Sequence, residues 1–230
     1  MSETLITYEL DGNVALIGLN RPDKRNSIND PLIDALRAAV LRAHEEADVA
    51  VLFGHGTNFC AGLDLAEALA RATGQIKPPR KRKRHNWHEV FDLIARGPIP
   101  FVAALHGAVV GGGGTVRIQR VVGTTVMMDM MLTGRLLTAA EGLQEKVIRY
   151  VTPVGEALTK AKELAHRIAK NSVETNWMII NVLPRIHDMT HDDGLFVEQL
   201  NSARARPPEA EARLREFVDG KAKKIQDNQA

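Results

Sequence analysis

The sequence predicts an α/β fold, and three observations support this fold class. Apolar and polar residues alternate in ITYELDGNVALIGLN on both sides of Asp11-Gly12, which is typical of a β-hairpin. AVLFGHG is a short apolar run bounded by glycine, as expected for a buried parallel strand. Segments with helical periodicity follow these runs. Such alternation of strands and helices favours a layered arrangement with right-handed crossovers.

The first helix is predicted directly after the hairpin and a loop. RPDKRNSIND is rich in Pro, Asn, Asp and Ser, which indicates the loop. Asp30 and Pro31 suit the N-cap and the first helical position. Apolar residues then recur at helical spacing, at Leu32, Leu36, Val40 and Ala43. The spacing predicts a helix over residues 31–47.

Three more elements are predicted before residue 108. NFCAGLDLAEALARA follows the strand AVLFGHG and is predicted to begin a helix after a tight turn. NWHEVFDLIARG has the pattern of a short amphipathic helix. PIPFVAALHG has the pattern of a buried strand, and its two prolines suit a segment that enters the sheet from outside.

The rest of the chain is predicted to be mainly helical. TVRIQRVVGTTVMMDMMLTG follows four glycines and has helical character, and AAEGLQEKVIRYVTPV is expected to form a short helix that leads into a strand. From residue 155 onwards the patterns are helical only. We therefore predict an α/β core over residues 1–154 and a helical region over residues 155–230.

Composition excludes several classes of protein. Of 230 residues, 44% are hydrophobic and 25% are charged, which is close to the average of globular proteins. No apolar run approaches the roughly 18 residues that a membrane span needs, and the first residues lack the order of a secretory signal. A single cysteine, Cys60, allows no internal disulfide and suits a reducing compartment. We expect a cytoplasmic protein that does not bind membranes.

One segment is strongly basic although the net charge is only +2. KPPRKRKR, residues 77–84, holds six basic side chains in eight positions. It is interpreted first as a solvated loop, second as a phosphate-contacting loop, and third as a nucleic-acid patch or a targeting signal. The small net charge argues against a nucleic-acid partner.

Two tight turns can place backbone N–H groups at one point. In FCAGLDL the Ala-Gly pair turns the chain sharply, which leaves the Leu63 N–H unpaired at the start of a helix. In HGAVVGGGG the glycines follow a buried strand and let the Gly112 N–H approach a ligand. Two such donors on one oxygen would form an oxyanion hole, which polarises a carbonyl. Either turn alone is weak evidence, because similar turns also bind phosphate or serve packing.

Four segments together resemble a known family. NRPDKRNSI, GTNFCAGLDL, PIPFVAALHGAVVGGG and MMLTGRLLTAAEGL resemble, in order and spacing, the motifs of the crotonase superfamily, the enoyl-CoA hydratases and isomerases. The resemblance implies a crotonase-like ββα spiral core with a C-terminal helical trimerisation region. It also implies that the protein binds an acyl-CoA thioester as a homotrimer or a dimer of trimers. Coenzyme A is then part of the substrate, so no separate cofactor is implied.

The resemblance also assigns site residues. It implies that the Leu63 and Gly112 N–H groups form the oxyanion hole. Seven further residues are expected along the acyl-CoA, namely Lys24, Arg25, Ser27, Ala61, Asp64, Leu65 and Gly111. A basic residue near the C-terminus is expected to reach a CoA phosphate on the neighbouring subunit, with Lys221, Lys223 and Lys224 as candidates.

The glycines at 111–114 depart from the family pattern. In the hydratases a helix, a strand and a Pro-Glu segment separate the first glycine cluster from a second one, whereas here glycine meets TVRIQR directly. The run resembles two clusters fused into one, with about one helix and one strand of the core missing. Hydratase chemistry uses two glutamates, one as base and one as acid, and both belong to the missing stretch.

Four residues are candidates to replace these glutamates, and each has a competing structural role. Asp64 is expected to cap the helix that begins beside it. Glu141 is expected to complement a helix dipole. Asp129 is expected to be a surface or paired group, and His106 a satisfied histidine at a strand end.

The large apolar side chains outside these motifs are predicted to be structural. Trp87 and Trp177 are expected to be core or interface anchors. Met127, Met130 and Met131 lie on or near one helix face, which favours the core, with the lining of an acyl tunnel as the alternative.

The sequence leaves three functions open. The first is an acyl-CoA enzyme of fatty acid metabolism in the lyase or isomerase class, most simply a 2-enoyl-CoA hydratase that is impaired because both family glutamates are absent. The second is a non-catalytic acyl-CoA-binding or assembly subunit. The third, nucleic-acid binding through residues 77–84, is expected least.

Overall fold

The computed structural model describes residues 4–77, 86–110, 114–204 and 208–220. Its strands are β1 (Ile6–Asp11), β2 (Val14–Leu19), β3 (Val49–Gly54), β4 (Cys60–Ala61), β5 (Phe101–Ala104) and β6 (Val109–Val110). Its helices are α1 (Asp30–Glu46), α2 (Leu65–Ala72), α3 (Asn86–Arg96), α4 (Gly114–Arg117), α5 (Gln119–Thr133), α6 (Ala139–Gln144), α7 (Ala157–Ile168), α8 (Val173–Ile186), α9 (His191–Arg204) and α10 (Pro208–Val218). The predicted mixed α/β class is confirmed.

The main sheet has the strand order β1-β2-β3-β5. β1 and β2 pair antiparallel around Gly12, whose positive φ of 60° permits the tight turn, so the predicted hairpin is confirmed. β3 pairs parallel with β2, and β5 pairs parallel with β3. Cys60–Ala61 and Val109–Val110 form a second, two-stranded parallel sheet. β5 therefore lies at one edge of the main sheet.

Helix α1 begins one residue earlier than the sequence predicts. Its N-cap is Asn29, whose side-chain oxygen accepts a hydrogen bond of 3.0 Å from the Leu32 N–H, so the prediction of Asp30 as the cap is wrong. Asn29 has the extended backbone that a cap requires, and asparagine caps as well as aspartate does. Asp30 is already helical, and its carboxylate pairs with Arg71 on α2 instead.

Apolar side chains cover both faces of the sheet. On one face, Ile17, Val40 and Val90 belong to a cluster that joins the sheet to α1 and α3. On the other face, Val14 and Val51 pack with Ala161 and Ala165 of α7. Helix α7, which lies beyond residue 154, thus completes the layer structure of the sheet. The predicted division at residue 154 itself stays a prediction.

The prediction of a strand within AAEGLQEKVIRYVTPV is wrong. α6 forms as predicted, and a capping box between Thr138 and Glu141 starts it. Residues 145–154, however, form no strand. Residues 147–152 include the β-branched and aromatic residues that favour strands, but a strand also needs a paired neighbour. Within the described chain no strand pairs with this segment, so it stays irregular.

The methionines of α5 are not in the core. Met127 and Met130 are only half-buried and Met131 is 61% exposed, so the predicted core packing is wrong. The reason is that α5 packs on α4 rather than on the sheet and has no buried residue. Trp87 packs against the core cluster of α1 and α3, which confirms its structural role, whereas Trp177 is 44% exposed and is not a core residue. None of the helices described here is both long and apolar enough to cross a bilayer.

Candidate active site

The loop before α1 is held by one buried asparagine. Asn26 is fully buried, and its Oδ1 accepts a hydrogen bond of 2.8 Å from the Arg21 N–H. Its Nδ2 donates to the carbonyl oxygens of His55 at 2.9 Å and Asn58 at 2.8 Å. Arg25 and Asn26 both adopt a left-handed backbone, with φ of 50° and 54°. These bonds fix the loop against the turn that follows β3.

Strand β4 is tied to this loop on one side and to β6 on the other. The Ala61 N–H donates to the Arg25 carbonyl at 2.9 Å, and the Cys60 N–H donates to the Ala108 carbonyl at 3.0 Å. Gly62 follows with φ of 90°, and a Cβ at this position would lie 2.9 Å from Cγ1 of Val110. The turn therefore needs glycine both for its backbone angle and for the close approach of β6.

The Leu63 N–H points away from the loop that carries Ile28. The Ile28 N–H donates to the Gly62 carbonyl at 2.7 Å, and the Asp64 N–H donates to the Ile28 carbonyl at 2.9 Å. In a parallel bridge of this kind the residue between the two bonded groups directs its own N–H to the opposite side. Within the described residues the Leu63 N–H has no hydrogen-bond partner. The unpaired donor that the turn predicts is therefore present.

The other half of the predicted oxyanion hole lies outside the described residues. β6 ends at Val110, which faces Ala61 across the small sheet. Gly111 and Gly112 come directly after it and are not among the described residues, so their roles stay predictions. The same holds for residues 78–84 of the basic segment and for three lysines near the C-terminus, Lys221, Lys223 and Lys224.

Asp64 has two structural tasks. Its Oδ1 accepts hydrogen bonds from the Ala66 and Glu67 N–H groups at 3.0 and 3.2 Å, which caps α2 as predicted. Its Oδ2 lies 2.6 Å from Nη1 of Arg21, in a largely buried ion pair. The hydrogen bond from Arg21 is the main reason why the pKa of Asp64 lies below its usual value. A carboxylate held in this way is a poor general base.

The structure brings the predicted substrate residues that it describes into two adjoining segments. One segment holds Lys24, Arg25 and Ser27; Lys24 and Arg25 are exposed, and Ser27 accepts from Nη1 of Arg21 at its Oγ, at 3.3 Å. The other segment holds Ala61, Leu63, Asp64 and Leu65. Leu63 and Leu65 are 45% and 79% exposed, so an apolar surface lies beside the free N–H.

Sequence reasoning did not single out Arg21 and Asn26, on which this arrangement depends. Arg21 Nη1 contacts both Asp64 and the Ser27 carbonyl, the latter at 3.1 Å, so it joins the two segments. A weak signal was present at Asn26, because asparagine is one of the few residues that accept a left-handed backbone in a tight turn. Nothing local in the sequence indicates the partner of Arg21, which is 43 positions away.

The other candidate acid–base residues are engaged in structural contacts. Asp129 pairs with Nε of Arg135 at 2.5 Å, and Glu141 pairs with Nη1 of the same side chain at 2.9 Å. Hydrogen bonds from Thr138 lower the pKa of Glu141, first of all the bond from the Thr138 N–H. His106 contacts the Gly56 carbonyl at 3.1 Å. The predicted structural roles of these three residues are confirmed. Within the described parts of the chain, no three His, Cys, Asp or Glu side chains form a group able to hold a metal ion.

Known proteins share this sequence and fold. Residues 9–118 match the family model described as enoyl-CoA hydratase/isomerase. A Thermus thermophilus protein provisionally named an enoyl-CoA hydratase is 30% identical over 85% of this chain and 90% of its own length. The solved structure of a Rhodopseudomonas palustris protein, also provisionally named an enoyl-CoA hydratase, is 33% identical, with a TM-score of 0.81 over 95% of this chain and 96% of that chain.

One relative has residues within the matched region that this chain lacks. The match with echA8 of Mycobacterium tuberculosis, at 23% identity, extends over 258 residues and covers 98% of that protein. It covers 96% of this chain, and 96% of 230 residues is about 221. About 37 positions of the match, the difference between 258 and 221, therefore have no counterpart in this chain.

The loop before α1 and the segment that starts α2 lie side by side, with the Leu63 N–H unpaired among the described residues. A relative that is 30% identical over 85% of this chain and a solved structure that is 33% identical show the family. The chain belongs to the enoyl-CoA hydratase/isomerase family of the crotonase superfamily.

Proposed function

We propose that the protein binds an acyl-CoA thioester and polarises its carbonyl, with the addition of water to a 2-enoyl-CoA as the reaction. The thioester oxygen would accept from the Leu63 N–H, and the acyl chain would lie on the apolar surface of Leu63 and Leu65. Lys24 and Arg25 would meet the phosphates of coenzyme A, and their exposure supports this role. Acyl-CoA binding fits the family to which the chain belongs.

The observation that carries this proposal is the unpaired Leu63 N–H. Most backbone N–H groups find a partner, and a free one at the start of a helix is suited to bind a developing negative charge. The surroundings hold it rigidly, since Ile28 fixes the residues on both sides and Asp64 caps the helix. A donor held in place before the substrate arrives is the requirement for electrostatic catalysis.

The experiment compares two substitutions at the same position. Leu63→Pro removes the N–H, and Leu63→Ala removes the same side chain but keeps the N–H. Hydration of crotonyl-CoA is measured for both and for the unchanged chain, and circular dichroism checks that each is folded. If the donor acts on the thioester, the rate of the proline variant falls roughly 10²- to 10³-fold below that of the alanine variant. Equal rates in two folded variants would contradict the role of this donor.

A second function, acyl-CoA binding without turnover, is favoured by a separate observation. Asp129, Glu141 and Asp64 are each engaged by an arginine, and His106 by a backbone carbonyl, so the described candidates for a general base are committed elsewhere. Loss of a positioned acid or base typically costs about 10²- to 10⁴-fold in rate. Titration calorimetry with crotonyl-CoA, combined with the hydration assay, separates the two functions.

Binding with no hydration above background would support the second function, and binding with hydration the first. A folded chain that binds no acyl-CoA would contradict both. Binding that is unchanged in a Lys24→Glu, Arg25→Glu double variant would contradict only the placement of the phosphates.

A further inference from the structure

A groove of about 760 Å³ separates the edge strand β5 from the irregular segment 147–152, with α7 along it. Its apolar lining includes Val102, Val151, Ala161 and Leu164. The groove lies outside the described loops that carry Leu63, Lys24 and Arg25, since none of their residues lines it. It therefore needs an explanation other than the binding of a thioester.

Strand β5 offers unpaired backbone groups to this groove. In the pairing of β3 with β5, Ala50 faces Phe101 and its N–H donates to the Pro100 carbonyl at 3.0 Å. Phe101 and, two residues on, Ala103 therefore direct their own N–H and C=O groups away from β3. No further strand of the described chain follows β5 in the sheet. Such an edge is a template for another strand.

The opposite wall of the groove is also unpaired. Residues 149–152 make no backbone hydrogen bond to any part of the chain that the structure describes. Their sequence, Arg-Tyr-Val-Thr, favours a strand, yet they form none. The groove thus has an unpaired backbone on two sides and an apolar lining between them.

The charge of the groove has one sign. Arg149, Lys160 and Arg167 line it, and none of the acidic residues that the structure describes does. Lys160 pairs with Glu163 at 2.9 Å. Arg149 and Arg167 make no ion pair with any acidic residue of the described chain. An occupant with negative charge is therefore favoured over a neutral or basic one.

We propose that this groove binds an extended strand of another polypeptide, apolar at alternate positions and acidic between them, which pairs with β5. Main-chain hydrogen bonds to Phe101 and Ala103 would supply affinity, the apolar lining would bury alternate side chains, and Arg149 and Arg167 would select acidic residues between them. About 37 positions of the match with echA8 have no counterpart in this chain, which is long enough for a strand and a helix.

The first experiment uses a fluorescent eight-residue peptide that alternates valine with glutamate, titrated onto the full chain. A peptide with lysine in place of glutamate tests charge, and one with N-methylated alternate amides tests main-chain pairing. We expect saturable binding of the glutamate peptide and affinity at least tenfold lower for each of the other two. Hydrogen exchange followed by NMR should show slower exchange at the Phe101 and Ala103 amides when the glutamate peptide binds.

Variants of the chain sharpen the test. Ala103→Pro removes one outward N–H without removing a bond to β3, and proline is tolerated at such an edge position. It should weaken binding at least fivefold. Arg149→Glu with Arg167→Glu should reverse the preference, so that the lysine peptide binds more tightly. Arg120→Glu, on exposed α5, makes half that change of charge away from the groove and should leave affinity unchanged.

Three results would overturn the proposal. One is a folded chain that binds no peptide. Another is peptide binding that leaves exchange at Phe101 and Ala103 unchanged. The last is a dimer, seen by sedimentation, that Ala103→Pro dissociates, because the edge would then pair with a second copy. None of these results depends on acyl-CoA, so the proposed function can fail or hold independently.

Discussion

The sheet-forming half of the chain and the helices that follow it bury apolar residues to very different extents. Of the buried apolar residues described, all but Ala161 and Ala165 lie between Val14 and Ala104. After residue 114, large apolar side chains are exposed on α5, α8 and α9, for example Leu132 at 80% and Phe196 at 61%. The first half has a core of its own. Only α7 of the second half shares that core.

This difference indicates how each half is stabilised. Burial of a large apolar side chain contributes about 1.5–3 kcal/mol, so the free energy of unfolding depends mainly on the sheet and on the helices α1, α3 and α7. The exposed apolar side chains on α5, α8 and α9 contribute much less to this free energy. The predicted trimerisation region falls in this half, and it stays a prediction.

The largest expected effect compares two isoleucines. Ile17 is fully buried at the centre of the sheet, and Ile179 on α8 is 47% exposed. Ile17→Ala should lower the free energy of unfolding by about 3–4 kcal/mol, whereas Ile179→Ala should lower it by less than about 1 kcal/mol. Urea denaturation measures both. Similar losses would show that α8 is covered in solution, which would break the comparison between the halves.

The next effect tests the loop that supports the site. Asn26→Ala leaves the Arg21 N–H and two carbonyls without their partner and should cost about 2–3 kcal/mol. Asn26→Gly loses the same bonds but tolerates φ of 54°, so it should be less destabilising than alanine by about 1 kcal/mol. Equal losses would show that backbone strain has no part in holding the loop.

A third effect depends on pH. The pKa of Asp64 in the folded state is lowered, chiefly by Arg21, so its ionised form stabilises the fold above the pKa of the unfolded chain, roughly 4. This contribution is lost as the pH falls through the lower pKa of the folded state. Asp64→Asn should be less stable than the unchanged chain at pH 7, by about 2 kcal/mol, and the gap should narrow below pH 4. Thermal unfolding from pH 7 to pH 2.5 measures the gap, and a constant gap would contradict the assignment.

The smallest effect lies in the helical half. Thr138→Ala removes the capping box of α6 and should cost about 1 kcal/mol locally. Hydrogen exchange at the Glu141 amide should therefore become about fivefold faster, because 1 kcal/mol corresponds to about that factor. Thr159→Ala, at an exposed position of α7, is the matched control and should leave this exchange unchanged. Faster exchange throughout the sheet in Thr138→Ala would show that the two halves unfold together.

Much of the sheet could be predicted from the sequence. The hydrophobic periodicity and the turn residues, which are local features, predict most of its elements. These are the hairpin around Gly12, the parallel strand β3 and the helices α1, α2 and α3. The predicted N-cap of α1 was wrong by one residue. Asn29 and Asp30 are both good caps, and only the backbone conformation decides between them. The prediction of a strand after α6 was wrong because a strand needs a paired neighbour, and the local sequence does not determine which segment that neighbour is.

The site was predicted in part. The Ala-Gly pair predicts the turn that leaves the Leu63 N–H unpaired. The capping role of Asp64 follows from its position before a helix. The role of Arg21 was not predicted because its partner, Asp64, is far away in the sequence. The methionines of α5 were assigned to the core because their spacing is helical, but spacing does not say what covers the helix.

The sequence by itself determined the period of each element, the positions of its turns and the family to which it belongs, because these depend on neighbouring residues. The tertiary structure decided which way the Leu63 N–H points, what holds the loop of Asn26, and that residues 149–152 find no strand to pair with. Each of these is set by a contact between residues far apart in the chain, and no local pattern specifies such a contact.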